Sequence, residues 1–184
     1  MILKQTIETP RLRIRSYRDN DMSFCLSLWC DEENGRYMSD PVFSNIDERY
    51  LSCFKGMEED KDGYYLIAEL KENGMPVGTC CAFPEEGNYD IGYSIAKAFW
   101  KMGLGTEMID ALIRWIRSEG GSTVSCEVAD ANEASLALLR KLGFIQEKKT
   151  RYKKWGEETC FDAHIYRLVL DQTKTIPMED KPSE

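Results

Sequence analysis

The middle of the chain contains three short strand-like segments that are connected by tight turns. The first turn includes Asn73-Gly74, a pair that favours a β-hairpin because both of its residues tolerate a positive φ. The three segments are Tyr64–Leu70, Pro76–Phe83 and Tyr89–Ile95, and they are followed by an amphipathic segment, Gly105–Ser118, and another strand-like segment, Thr123–Val128. Consecutive strands joined by turns predict an antiparallel meander, whereas strand, helix and strand in succession predict a parallel crossover. The order of these segments therefore indicates an α/β fold with a mixed sheet.

The segments on either side of this region are consistent with one domain. Leu12 and Ile14 alternate with arginines in Pro10–Ser16, which predicts a half-buried strand. Two short helices are expected to begin near Asp19–Asp21 and near Asn45 or Asp47, and a helix over Asn132–Leu142 and a hairpin of Phe144–Trp155 and Phe161–Leu170 are expected to complete the fold. Residues 1–171 are thus predicted to form a single domain. Residues 172–184, with two prolines and no periodicity, are predicted to be a loosely ordered tail.

Composition and charge exclude several classes of protein. The 184 residues are 42% hydrophobic, enough to bury a core, and 24 Lys and Arg against 32 Asp and Glu give a net charge of −8. An acidic surface disfavours nucleic acid, because binding it requires basic side chains that neutralise phosphates. The longest apolar runs, such as Val77–Phe83, are much shorter than the roughly 20 residues that span a bilayer. The first ten residues lack the apolar region of a secretory signal, so we expect a cytoplasmic protein with neither nucleic acid nor membrane as partner.

The cysteines are expected to be small buried side chains. There are seven of them, with no C-x-x-C motif, and His164 is the one histidine in the sequence. Disulfides are disfavoured in a reducing compartment, and a zinc site needs clustered Cys and His ligands. We therefore expect no metal.

The sequence Trp100-Lys-Met-Gly-Leu-Gly-Thr106 lies where a strand gives way to a helix. Gly103 and Gly105 let the backbone turn tightly and leave no Cβ in the way of a ligand. The amides that begin the helix, together with the helix dipole, favour an anion such as phosphate. A P-loop would continue with Gly-Lys-Ser/Thr, and a dinucleotide fingerprint would have glycine or alanine in place of Met108, so neither motif is present.

Three groups of residues together resemble the GCN5-related N-acetyltransferase (GNAT) superfamily. The glycine segment is similar to the R/Q-x-x-G-x-G/A pyrophosphate loop of that family, with Trp100 in the first position. Glu8–Arg15 and the pair Phe99-Trp100 look like the RimJ/RimL-like branch, whose members start with E-T-x-R-L-x-L-R. Asn132 and the later Lys141–Phe144 resemble the second half of the domain. The resemblance implies one three-layer domain, with a mixed, mostly antiparallel central sheet and helices on both faces.

The resemblance also implies an activity. It is the transfer of the acetyl group of acetyl-CoA to a primary amine, by direct attack in a ternary complex. The acceptor is expected to be a protein N-terminus or a small amine, and the acidic composition favours a cationic one through long-range attraction. The oligomeric state is left open between monomer and homodimer. The alternatives are a non-catalytic acyl-CoA-binding or sensory module and a GNAT enzyme that uses another acyl-CoA.

Cofactor contacts are assigned by the same resemblance. The backbone of three strand residues is expected to face the pantetheine arm, and these are Tyr93, Ser94 and Ile95. The expected pyrophosphate loop consists of Lys101, Met102, Gly103, Leu104, Gly105 and Thr106. Asn132 and Ser135 are expected to contact the cofactor from the next helix. The region that contains Trp29, Tyr37, Met38 and Phe43 is expected to cover the acceptor site.

Catalytic residues are less completely assigned. Glu127 aligns with the base glutamate of ribosomal N-terminal acetyltransferases and is the candidate general base, with Asp90, Glu85 and Glu86 as lesser candidates. The general acid is left open, because many relatives have a tyrosine at the position that is Leu139 here. The alternatives are a thiolate that leaves unassisted and a thiolate that is protonated by water, Ser135 or Cys126. Cys126 as an acyl-carrying nucleophile is disfavoured, since its alternation with Val124 and Val128 indicates a core position.

Overall fold

The structure, a computed structural model, describes residues 1–170. Residues 171–184, which include the predicted tail 172–184, lie outside the described residues. The strands are β1 (Ile7–Glu8), β2 (Leu12–Ser16), β3 (Tyr64–Leu70), β4 (Pro76–Glu85), β5 (Asn88–Ile95), β6 (Thr123–Ala129), β7 (Ile145–Lys153) and β8 (Cys160–Val169). The helices are α1 (Met22–Trp29), α2 (Glu48–Ser52), α3 (Leu104–Ser118) and α4 (Glu133–Lys141).

The strands form one eight-stranded sheet in the order β1-β2-β3-β4-β5-β6-β8-β7. Within residues 1–170 the neighbouring strands pair in antiparallel fashion, except β5 and β6, which are parallel. The predicted meander is β3-β4-β5, and the predicted crossover connects β5 to β6 through α3. The mixed sheet is therefore confirmed, and its one parallel junction lies at the centre of the molecule.

Helices cover both faces of this sheet, as the resemblance implies. Adjacent residues on a strand point to opposite faces, so Leu66 and Ile67 on β3 belong to different layers. Leu66 packs in the larger core with α3 and α4. Ile67 packs in a smaller core with Cys25 of α1 and Tyr50 of α2. The result is a three-layer α/β domain.

The apolar stripe predicted on α3 is buried in the larger core. Its members are Met108, Ile109, Leu112, Ile113 and Ile116, and none of them is more than 6% exposed. Burying a side chain of this kind contributes roughly 1.5–3 kcal/mol to folding. This stripe fixes α3 against the sheet, and it thereby fixes the position of the glycine segment at the start of the helix.

Two of the N-cap expectations have different outcomes. Asp47 caps α2, because its carboxylate accepts a hydrogen bond from the Tyr50 amide at 2.6 Å. Asp21 immediately precedes α1 but does not cap it. Its carboxylate instead binds the Arg15 guanidinium at 2.7 and 2.8 Å and accepts from the Arg18 amide at 2.9 Å. The carboxylate thus closes the short turn Asp19–Asp21 that precedes α1 and pairs with Arg15 of β2, instead of capping α1 itself.

All seven cysteines are free thiols, and residues 1–170 contain no cluster of three or more potential metal ligands. Over the same residues, no helix combines the length and the apolar character needed to cross a membrane.

Candidate active site

The sheet opens between β5 and β6. The two strands pair at Asn88–Thr123, Tyr89–Val124 and Asp90–Ser125, and no further pair joins them in the described part of the chain. Both strands continue beyond this point, so their ends diverge into a V. The diverging ends form two walls of a cavity of about 860 Å³, within the usual size range of ligand pockets. An unpaired strand edge offers backbone donors and acceptors to an extended ligand in the way an added strand would use them.

The glycine segment forms another wall, at the N-terminus of α3. Lys101 and Gly103 both adopt the left-handed conformation, with φ of 61° and 78°. The first hydrogen bond of the helix is donated by the Glu107 amide to the Gly103 carbonyl, at 3.1 Å. The amides of Leu104, Gly105 and Thr106 therefore have no acceptor within the helix, and they add to the positive end of its dipole. This arrangement suits an anionic group.

The second glycine of the segment is closely packed. A Cβ on Gly105 would lie 3.2 Å from Leu138 Cδ1 and 3.5 Å from Ile95 Cγ1. A methyl group would need a small shift of the Leu138 side chain, and a larger side chain would meet α4 or enter the cavity. The two glycines thus serve different needs, one conformational and one steric.

The cavity wall brings together the residues that the sequence proposes for the cofactor, with one exception. They are Tyr93, Ser94, Ile95, Lys101, Gly103, Leu104, Gly105, Thr106, Asn132 and Ser135. Met102 does not line the cavity, and its side chain is 54% exposed. Trp100, which stands in the first position of the loop motif, donates its indole N–H to the Ile95 carbonyl at 2.6 Å. It therefore fixes the bend between β5 and the loop.

The start of α4 is tied to β5 across the cavity. Asn132 is the N-cap, and its side-chain oxygen accepts a hydrogen bond from the Ser135 amide at 3.2 Å. The Ser135 hydroxyl in turn lies 2.6 Å from the Tyr93 hydroxyl. Burial raises the pKa of Tyr93 far above its ordinary value, so this hydroxyl keeps its proton. Leu139 is fully buried in the larger core, one turn further along the helix.

Among the candidate bases, the structure places Glu127 on the cavity wall. Its carboxylate accepts a hydrogen bond from the Thr150 hydroxyl of β7. Asp90 lies at the point where β5 and β6 separate and accepts from Ser125 at 2.9 Å. Burial raises the pKa of Asp90, and the negative charge of Glu127 adds to this effect. Glu85 and Glu86 lie at the β4–β5 turn, away from the cavity wall.

Cys126 also reaches the cavity, but its chemistry is that of a core residue. The side chain is 3% exposed, and burial strongly raises the pKa of its thiol. A thiol that remains protonated is a poor nucleophile. The geometry therefore agrees with the sequence in disfavouring an acyl-cysteine intermediate.

The loop that covers the cavity is attached by contacts that are not apparent from the sequence. Tyr37 and Met38 line the cavity as expected, whereas Trp29 and Phe43 do not. The loop that contains Tyr37 and Met38 is held through its carbonyl groups. The Tyr152 hydroxyl donates to the Tyr37 carbonyl at 2.6 Å, and the Lys154 ammonium donates to the carbonyls of Gly35 at 2.9 Å and Met38 at 3.0 Å. Lys154 is only 6% exposed, a signal that no sequence period discloses.

Two further polar residues, Asp40 and His164, differ in their relation to the cavity. Asp40 lines the cavity and accepts a hydrogen bond from the Tyr50 hydroxyl at 2.6 Å. Burial raises the pKa of the Asp40 carboxyl above its ordinary value. His164 instead lies 2.6 Å from the Asp130 carboxylate, and it is not part of the cavity wall.

Known protein families and proteins resemble this chain over most of its length. A family model described as an acetyltransferase (GNAT) domain matches residues 11–145. The chain is 25% identical over 169 residues to the uncharacterized N-acetyltransferase YoaA of Bacillus subtilis, with 89% of this chain and 96% of that protein covered.

Solved structures have a similar fold. One is the ribosomal-protein-S5-alanine acetyltransferase of Vibrio fischeri, with a TM-score of 0.69, 14% identity and coverage of 92% of this chain and 99% of the other. Another is the spermidine N-acetyltransferase of Vibrio cholerae in complex with CoA and spermine, with a TM-score of 0.74, 13% identity and coverage of 88% and 96%. At these identities the similarity shows the fold alone.

Proposed function

Because the chain belongs to the GNAT superfamily and is an acyltransferase of its RimJ/RimL-like branch, we propose that it moves the acetyl group of acetyl-CoA onto a primary amine. The observation that carries this proposal is the V-shaped opening between β5 and β6. One cavity there combines a strand edge, the free amides of α3 and a carboxylate, Glu127. These are the elements needed to hold a thioester with an anionic tail and to receive a proton from an amine.

The proposed binding mode uses the backbone more than charged side chains. The edge of β5 at Tyr93–Ile95 would hold the pantetheine arm, and the amides at Gly103–Thr106 would hold the pyrophosphate. Lys101 and Lys141 are the basic residues of the cavity wall besides Arg36, in a protein of net charge −8. Binding of an anionic substrate therefore depends on local dipoles, because the overall charge opposes it.

Acetyl transfer requires a neutral amine, and a primary amine with a pKa of about 8–10.4 is mostly protonated at neutral pH. We assign Glu127 the role of taking this proton, directly or through water. The nitrogen then attacks the thioester carbonyl to form a tetrahedral intermediate, the attached nitrogen loses its second proton to solvent water, and the C–S bond breaks to release a thiolate. Holding amine and thioester together in one cavity supplies much of the rate.

The departing thiolate has a conjugate acid with a pKa of about 8.5. Leu139 has no proton to give, and Tyr93 holds its own proton too firmly to protonate such a thiolate. The paired hydroxyls of Tyr93 and Ser135 are therefore assigned to stabilise the thiolate by hydrogen bonding. Its proton comes from water.

The acceptor is proposed to be a cationic amine. Within residues 1–170, four carboxylate side chains line the cavity, those of Glu33, Asp40, Glu127 and Glu133, and a carboxylate attracts an ammonium group. The fold neighbours act on a ribosomal protein alanine and on spermidine, which are both amines of this class. We therefore take protein N-termini and small amines as the acceptors to test first.

The test measures the release of CoA from acetyl-CoA. CoA is detected by chromatography, because the protein's own thiols would react with a disulfide reagent. The acceptors are a peptide with an N-terminal alanine, spermidine and an amino acid. We expect acceptor-dependent release of CoA with at least one of them. If CoA binds but no acceptor is acetylated, the chain is a binding or sensory module; if succinyl-CoA is turned over faster, the acyl group is a different one.

The glycine loop has its own test. Gly103→Val combines a left-handed backbone position with a side chain beside the free amides, so we expect CoA affinity to fall more than about tenfold. Gly120→Val is the matched control, because Gly120 has φ of 88° at the other end of α3 and open space around it. Equal CoA affinity in the two variants, measured by calorimetry, would remove the loop from the pyrophosphate site.

A further inference from the structure

The N-terminal sequence motif and the glycine loop contact each other in the fold. Thr9 and Arg11 lie just before β2, whereas Glu107 lies in the first turn of α3. One oxygen of the Glu107 carboxylate accepts from the Thr9 hydroxyl at 2.6 Å and from the Arg11 amide at 2.9 Å. The other oxygen accepts from Arg11 Nε at 2.7 Å and from Arg11 Nη2 at 2.6 Å. Four donors, all from residues about 100 positions earlier, hold this one carboxylate.

The same guanidinium reaches the loop itself. Arg11 Nη1 donates to the Met102 carbonyl at 2.9 Å. Arg11 Nη2 lies 3.5 Å from the point that a Cβ on Gly103 would occupy. The planar guanidinium therefore bridges the residue before Gly103 and the first turn of the helix after it. It holds both ends of the left-handed turn at once.

This bridge also controls a charge beside the anion site. Burial alone would raise the pKa of Glu107, but the hydrogen bonds from Thr9 and Arg11 outweigh it and lower the pKa, so the group is a carboxylate. A free carboxylate in the first turn of a helix is attracted to the same amides that a phosphate uses. Arg11 and Thr9 hold the Glu107 carboxylate away from those amides and pair its charge.

We infer that Arg11, acting with Thr9 and Glu107, is a positioning residue for the pyrophosphate of the acyl donor. The inference rests on the proposed use of acetyl-CoA. Arg11 does this by fixing the Met102–Gly103 turn and by neutralising Glu107. The E-T-P-R segment and the G-L-G-T-E segment, which are far apart in the sequence, thus form one structural unit through these contacts.

The experiment compares Arg11→Ala with Arg13→Ala. Arg13 is two residues away, similarly exposed and also ion-paired, to Glu8 at 3.1 Å, but it does not touch the loop. Calorimetry with CoA is expected to show about tenfold weaker binding for Arg11→Ala and unchanged binding for Arg13→Ala. Arg11→Lys keeps the charge but not the planar bridge, so its affinity should fall between wild type and Arg11→Ala.

A second donor separates positioning from general damage to the fold. S-acetylpantetheine carries the thioester and the pantetheine arm but no pyrophosphate. For Arg11→Ala we expect kcat/KM to fall about tenfold with acetyl-CoA and to stay unchanged with S-acetylpantetheine. Glu107→Gln added to Arg11→Ala should weaken CoA binding no further, since the two residues act as one unit.

Three outcomes contradict the inference, and one of them concerns the proposed function as well. Wild-type affinity for CoA in Arg11→Ala would overturn the role of Arg11 while leaving acetyl transfer intact. An equal loss with both donors would show a structural role only. A wild-type protein that binds no CoA would overturn the proposed function and, with it, the inference.

Discussion

At the scale of single residues, neighbours on β6 have opposite surroundings. Cys126 points into the larger core with Val124 and Val128, whereas Glu127 is exposed at the cavity and bonded to Thr150. The alternation of side chains along a strand already indicates this division. The partner hydroxyl of Glu127 lies on β7, however, and the β6 sequence gives no indication of it.

The first residue-scale prediction concerns the general base. Glu127→Gln removes the proton acceptor but keeps the shape, so we expect kcat/KM at neutral pH to fall about 100-fold and to recover toward the pKa of the amine, about 8–10.4, where the neutral amine needs no base. The measurement is the rate of CoA release as a function of pH. Glu85→Gln, at the β4–β5 turn, is the control and should keep the wild-type profile.

The outcome that would contradict this assignment is a Glu127→Gln variant with the rate and the pH profile of the wild type. Asp90→Asn then decides the matter, because burial raises the pKa of Asp90 and it lies beside the point where the strands part. A loss of rate at neutral pH in that variant alone would transfer the role to Asp90.

At the scale of elements, the predicted bounds agree with the structure to within a few residues. Tight turns, alternation and helix caps are local signals, and they located β3, β4, β5 and α3 well. The two-residue strand β1 has no period of its own and was not predicted. Asp21 differs in another way, because its carboxylate closes the turn before α1 and binds Arg15 of β2 instead of capping α1.

The element-scale prediction separates two roles of Asn132. The cap needs only the side-chain oxygen, which accepts from the Ser135 amide, whereas the proposed cofactor contact needs the side-chain N–H as donor. Asn132→Asp should therefore keep the stability of the protein and lose CoA affinity. Asn132→Ala should lose CoA affinity and also about 1 kcal/mol of stability.

Thermal unfolding and calorimetry with CoA distinguish the two variants. A wild-type CoA affinity in Asn132→Asp would mean that Asn132 is a helix cap alone. An affinity loss in both variants, with a lower melting temperature only for alanine, is the expected result.

At the scale of the whole molecule, three distant parts of the chain enclose the cavity. The V between β5 and β6 supplies two walls, and the loop that contains Tyr37 and Met38 supplies another. That loop is held by the end of β7, where Lys154 and Trp155 bind carbonyls more than 110 residues earlier in the chain. This loop over the cavity is thus stabilised by tertiary contacts in addition to its own turns.

The corresponding prediction concerns Lys154. Lys154→Met leaves the Gly35 and Met38 carbonyls without their donor, so we expect the protein to lose about 2–3 kcal/mol of stability. The KM for the amine acceptor should rise, whereas the KM for acetyl-CoA should stay near wild type, because the glycine loop is untouched.

Lys153→Met is the neighbouring control. Lys153 pairs with Glu158 at the surface and does not contact the loop, so its replacement should leave the melting temperature and both KM values unchanged. If Lys154→Met raised the KM for acetyl-CoA and not for the amine, the loop would belong to the cofactor site instead.

The sequence by itself determined what depends on neighbouring residues: most of the strands and helices, the tight turn at Gly103, the cap at Asn132 and the family to which these motifs point. Tertiary structure decided how far β5 and β6 stay paired, which carboxylate reaches the cavity, and that Arg11 holds the glycine loop. The physical reason is the range of the interactions. Turns, caps and side-chain periods are fixed by residues within a few positions, whereas the divergence of two strands and the partners of Glu107 and Lys154 depend on segments about 100 residues apart that meet only when the core forms.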